Sequence, residues 1–98
     1  MNRANLRIKT VTQVYKENIN RNGVNTEIMK YLEETAELQE AVCKYYAGKD
    51  SVIHIAEEIA DLQIMLEQLA IIFDCRELVQ RWRKRKIEQI AEAAEKGD

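Results

Sequence analysis

Residues 33–39 read EETAELQ and residues 57–63 read EEIADLQ, nearly the same acidic heptapeptide written again twenty-four positions later. Around each copy the apolar residues recur at three- and four-residue steps, the period of an amphipathic helix. Ile28, Leu32, Thr35, Leu38, Val42 and Tyr45 or Tyr46 form one stripe around the first copy. Val52, Ile55, Ala56, Ile59, Leu62, Leu66, Leu69 and Phe73 form another around the second. No segment alternates apolar and polar residues between turn signals, so strands have no support. The chain reads as all-α.

Breakers divide it into four helices. NINRNGVN (18–25) carries Gly23 among asparagines, and Asn25 or Thr26 is a candidate cap for a helix with Glu27 in its first turn. AGKDS (47–51) offers Gly48 as a stop and Asp50 or Ser51 as the next cap. FDCRE (73–77) is a weaker break, with Asp74 as the candidate cap. The predicted helices span 2–19, 26–47, 51–73 and 75–95. From Leu62 onward, LQIMLEQLAIIF is apolar on nearly all sides, and such a helix needs cover on more than one face. With 98 residues in all, a second subunit supplies that cover most readily, so at least a homodimer is expected.

Composition bounds the function. An apolar fraction of 46% and a charged fraction of 33%, with three Gly and no Pro, describe one folded, helical domain rather than a disordered chain. A net charge of -2 neither recommends nor forbids a polyanionic partner, so electrostatic arguments must be local. Cys43 and Cys75 show no metal-binding or CxxC spacing and read as reduced thiols. No stretch has signal-peptide character or the ~20 uncharged apolar residues of a membrane span, and a cytoplasmic location is expected.

Helical geometry then places the acids. At about 100° per residue, Glu34 lies roughly 80° to one side of its stripe, with Glu37 about 60° further round; Glu58 and Asp61 repeat that placement on the next helix. If the two helices pack stripe to stripe as an antiparallel hairpin through AGKDS, both acidic edges fall on one side. Glu37 and Asp61 then come level, with Glu34 and Glu58 a turn away on opposite sides. Four converging carboxylates repel one another unless a cation intervenes, and hard oxygen donors select Mg²⁺, Mn²⁺ or Ca²⁺. The bland alternative is a solvated helix border. Against it, Glu33, Glu34, Glu37, Glu40, Glu57, Glu58 and Asp61 have only Lys30, Lys44 and His54 within reach along their helices.

EETAE, followed after twenty residues by EIAD, resembles the paired EExxE and ExxD motifs of the MazG-like nucleoside triphosphate pyrophosphohydrolases of the all-α NTP pyrophosphatase superfamily. EEIADLQIMLEQL looks most like the small, single-domain bacterial and phage-associated members. The resemblance covers about residues 26–90 and implies a four-helix bundle completed by oligomerisation, as dimers or tetramers with active sites at subunit interfaces. It implies Mg²⁺-dependent hydrolysis of a nucleoside or deoxynucleoside triphosphate to the monophosphate and pyrophosphate, with Mn²⁺ as a substitute. Position by position, the implied metal ligands are Glu34, Glu37, Glu58 and Asp61. Glu33 becomes an auxiliary carboxylate or water-positioning base, so that Glu33 and Glu37 are the implied catalytic pair. The segment RWRKRKIEQ (81–89) resembles the family's phosphate-binding last helix, which makes Lys84 or Lys86 the candidate contact.

RWRKRK also has readings as a solvated helix face or a nucleic-acid patch, but its charges spread around the helix instead of lining one groove, so nucleic acid is not expected. Trp82, Tyr31, Tyr45 and Tyr46 read as core or interface before base-stacking platforms. His54, one turn before Glu58, reads as a surface histidine, with a ligand or acid role as the sharper alternative. A di-iron carboxylate bundle needs Glu-x-x-His from two helices, which a single histidine does not supply. The remaining alternative is an inert helical interaction module whose acidic groove is incidental.

Overall fold

The structure is a computed structural model and describes residues 9–97. Those residues form four helices, α1 (Val11–Asn22), α2 (Val24–Tyr46), α3 (Val52–Ile72) and α4 (Arg76–Glu95), and no strand. Positions 2–8 of the predicted first helix lie outside the described residues. α1 opens with a capping box: Gln13 N–H donates to Thr10 Oγ1 at 3.1 Å, and Thr10 N–H donates to Gln13 Oε1 at 2.8 Å.

Two predicted boundaries move. NINRNGVN is almost entirely helical, broken only at Gly23, whose φ of +91° lets one residue end α1 and start α2. Asn25 and Thr26 therefore lie inside α2 and cap nothing, although Glu27 does fall in its first turn. Asp74 is not the cap of α4 either: it turns the chain at φ +49°, and Cys75 occupies the cap position without a side-chain bond. Between α2 and α3, Gly48 turns at φ +73° and the Ser51 hydroxyl accepts from His54 N–H.

α2 and α3 form the antiparallel hairpin around which everything else is arranged, but they do not pack stripe to stripe. The seam between them is made by Glu27, Tyr31, Glu34, Leu38 and Ala41 facing Ile55, Glu58, Asp61, Leu62, Met65 and Gln68, all buried or half-buried. Leu32, Ile59 and Leu66, central to the expected stripes, are 52%, 43% and 49% exposed. The seam sits on the acidic edge of each stripe. Ala41, fully buried, has no side chain bulky enough to hold the two backbones apart there. Met65 is its only fully buried apolar companion among the described residues.

α1 crosses the open end of the hairpin and is fastened by amides. Asn18 Nδ2 donates to Glu27 Oε1 at 3.2 Å and to Gln68 Oε1 at 2.8 Å, while Asn22 Nδ2 donates to Glu27 Oε1 at 2.7 Å. Glu27 and Gln68 are 0% and 1% exposed, and Glu27 Oε2 has no partner. A buried charge left half-satisfied is costly, whereas its neutral isostere keeps the acceptor that both asparagines need. Glu27→Gln is therefore expected to match or exceed the wild-type thermal midpoint, and Glu27→Ala to lose about 2–4 kcal/mol in denaturant unfolding.

α4 touches α3 alone and buries no residue. The chain exposes 8228 Å² against roughly 5,800 Å² for a compact monomer of its mass. Its radius of gyration is 17.6 Å against roughly 12.6 Å. Among the described residues no helix is long and apolar enough to cross a membrane, and Cys43 and Cys75 are free thiols.

Candidate metal centre

The seam brings the acids of both heptapeptides together. Glu34, Glu37 and Glu58 each offer a carboxylate oxygen within 4.8 Å of the others, and Glu57, Glu58 and Asp61 form a second such group. Glu58 belongs to both. All four residues with an implied metal role fall in these two groups, which share Glu58. Glu33 is exposed and belongs to neither group; Glu57, the first letter of the second heptapeptide, whose role the sequence leaves open, lies in the second.

Position in the fold sets the chemistry of each oxygen. Glu58 is 7% exposed and Glu34 is half-buried, and one oxygen of each, Oε2, is buried without a hydrogen-bond partner. Glu37 and Glu57 are exposed on the outer side of the cluster. No Lys or Arg among the described residues forms a salt bridge with Glu34, Glu37, Glu57, Glu58 or Asp61. Lys44 pairs instead with Glu40 at 2.8 Å. Burial, and then the charges of Glu37, Asp61 and Glu58, hold the Glu34 carboxyl above its ordinary 4.5.

Among the described residues, His54 is the basic side chain that bonds to the cluster. Its Nδ1 lies 2.5 Å from Asp50 Oδ2 and its Nε2 lies 3.2 Å from Glu58 Oε1. The Asp50 hydrogen bond is the main reason its pKa stands above the ordinary 6.5.

These shifts set a pH dependence. A carboxyl with a raised folded pKa binds a proton that the unfolded chain has released, so stability grows as pH falls toward 4.5 and is lost as pH rises through the folded value. The raised His54 acts in the same direction: its contribution is complete below 6.5 and disappears as pH rises through its folded value. Thermal unfolding in chelator is accordingly expected to show a midpoint that falls steadily from about pH 5 to about pH 8.

The basic helix does not reach this site within one chain. α4 makes no contact with α2; Lys86 lies 5.6 Å over the Trp82 ring, and Arg85 pairs with Glu88 and Glu92. Lys84 and Lys86 are therefore not brought to the carboxylates by this chain alone. An open cleft of about 770 Å³ separates α4 from α1 and α3, lined by Tyr15, Leu66, Arg76 and Arg83 among others, and contains none of the clustered acids.

Fold and seam together define an all-α protein with a carboxylate cluster set into a helical hairpin. No protein family, curated protein or solved structure compared with the chain matches it.

Proposed function

We propose that the chain is a MazG-like, Mg²⁺-dependent nucleoside triphosphate pyrophosphohydrolase that acts as an oligomer in the cytoplasm. The observation that carries this reading is the pair of buried, unpartnered carboxylate oxygens on Glu34 and Glu58, in a cluster that no Lys or Arg of the described residues neutralises. A hard divalent cation fits that donor set: all-oxygen, anionic, and contributed by two rigid helices.

Glu34, Glu37, Glu58 and Asp61 would hold the ions. When bound, Mg²⁺ supplies neutralising charge on the triphosphate and lowers the pKa of a coordinated water. The hairpin fixes the ligands before substrate arrives, so little reorganisation is needed. Glu37 or Glu57, both exposed, would accept the proton of a water attacking the α-phosphorus. Glu57 is a better candidate for that role than Glu33, because it shares the cluster with Glu58 and Asp61. The departing group is pyrophosphate, and the other product the nucleoside monophosphate.

The oligomer is part of the proposal. The excess of roughly 2,400 Å² over a compact monomer is well above the ~800 Å² per partner of a standard interface. It coincides with exposed Leu32, Ile59, Leu66, Leu78, Val79 and Trp82. A second copy packed there brings a basic α4 toward the carboxylates that it cannot reach in its own chain, giving Lys84 or Lys86 access to substrate phosphate. The same exposed faces would also serve an inert interaction module. That alternative leaves the orphaned Glu34 and Glu58 oxygens without a purpose.

The experiment is incubation with a panel of nucleoside and deoxynucleoside triphosphates in Mg²⁺, with monophosphate and pyrophosphate followed by chromatography. Turnover of at least one triphosphate, abolished by chelator, is expected. No turnover of any of them, beside tight Mn²⁺ binding, would favour the inert module.

A further inference from the structure

His54 joins two acids that lie to either side of it in the sequence. Glu58 follows it by one turn of α3, and Asp50 reaches it from the residue before the Ser51 cap. Asp50 is fixed in turn: its Oδ1 accepts Ser51 N–H at 2.7 Å. The ring is thus gripped at Nδ1 by an anchored carboxylate at 2.5 Å and presents Nε2 to Glu58 Oε1 at 3.2 Å. Both acids thus stand within hydrogen-bond distance of the one ring, Asp50 at Nδ1 and Glu58 at Nε2.

The consequence falls on Glu58. It is the one residue common to both carboxylate groups, and its two oxygens are not equivalent. Oε1 is engaged by His54, whereas Oε2 is buried and has no partner. With Oε1 taken up by His54, Oε2 is the oxygen left for a ligand.

We propose that Asp50 and His54 form a positioning relay that orients Glu58 as a monodentate metal ligand, a role that rests on the metal-centre reading above. His54 acts through Glu58 and does not itself touch the ion. A ligating carboxylate held by an outer hydrogen bond typically loses 10–100-fold in metal affinity when that bond is removed. Because Asp50 acts only through His54, removing Asp50 should matter while His54 is present and hardly at all once it is gone.

The test is Mn²⁺ titration of the metal-free protein, followed by calorimetry and electron paramagnetic resonance, for wild type, His54→Ala, Asp50→Ala and the double variant. His54→Ala is expected to weaken Mn²⁺ binding about 10–100-fold. Asp50→Ala should weaken it less, and should add almost nothing in the His54→Ala background. His54→Gln, whose amide can still donate to Glu58, is expected to recover part of the loss. Thermal midpoints in chelator serve to separate these effects from unfolding.

Wild-type affinity in His54→Ala, or additive losses in the double variant, overturns the relay while leaving the metal centre standing. Nitrogen hyperfine coupling to bound Mn²⁺ in the wild type also overturns it, because His54 is then a ligand. If the wild type binds no Mn²⁺ at all, the metal-centre reading fails and the relay with it.

Discussion

Glu58→Gln is expected to lower the turnover number by on the order of 10³-fold, equivalent to about 4 kcal/mol of lost transition-state stabilisation, and to weaken Mn²⁺ binding by at least ~100-fold. The substitution preserves volume, and the Gln carbonyl can still accept from His54 Nε2, so the seam keeps its shape. What it removes is charge, at the one side chain shared by both carboxylate groups. The stability of the same variant should move the opposite way. Wild type holds Glu34, Glu37, Glu57, Glu58 and Asp61 in close array without a Lys or Arg partner among the described residues, a standing repulsion that Gln relieves. The variant's midpoint in chelator should equal or exceed that of wild type, and the rise that Mg²⁺ gives wild type should vanish. A residue that only supported packing would show the reverse, with a lower midpoint and an intact response to metal. Glu33→Gln, at an exposed position outside both groups, is expected to change turnover much less.

The second large effect concerns assembly. Ile59 and Leu66 lie two turns apart on α3, 43% and 49% exposed, on the face that the hairpin seam leaves open. Burying an aliphatic side chain of this size contributes roughly 1.5–3 kcal/mol, and a two-fold interface counts each position twice. Replacing both with Glu should therefore remove about 6 kcal/mol or more, around four decades in Kd. Light scattering should report a dimer or tetramer for wild type and a monomer for the double variant. Because Ala41 and Met65 are the only buried apolar side chains among the described residues, the released monomer is expected to lose cooperative unfolding as well. A wild-type protein that is monomeric and cooperatively folded would show that the exposed faces have another purpose.

The helices were legible in the sequence because Gly23, Gly48 and the apolar periodicity punctuate the chain strongly. The caps were less so. Asn25 and Thr26 are good cap residues, but Gly23 alone can adopt the φ that joins α1 to α2, and that requirement overrides side-chain preference. The seam was misjudged for a physical reason. Periodicity finds the apolar face of a helix but does not say which neighbour covers it, and here the hairpin partner takes the acidic edge while the apolar centre stays open.

That rotation also explains what was missed at the site. The pattern ExxE and ExxD brought Glu34, Glu37, Glu58 and Asp61 to attention, but the packed seam makes Glu58 the residue common to both groups and brings in Glu57. Glu27 drew notice only as a first-turn acid, since nothing local distinguishes it from a surface glutamate. Its burial depends on Asn18 and Gln68, the latter more than forty residues away. For His54 the sequence offered only its place one turn before Glu58, and Asp50 was read as a candidate cap; that both acids lie against the ring requires the folded geometry.

The most direct test of the central claim is to hydrolyse a triphosphate that the protein accepts, in ¹⁸O-labelled water with Mg²⁺, and to locate the label by mass spectrometry. Attack of a cluster-bound water at the α-phosphorus puts the label in the nucleoside monophosphate and none in the pyrophosphate. Label in pyrophosphate or orthophosphate, or hydrolysis that persists undiminished in Glu58→Gln, would contradict the assignment of this carboxylate cluster as the centre of that reaction.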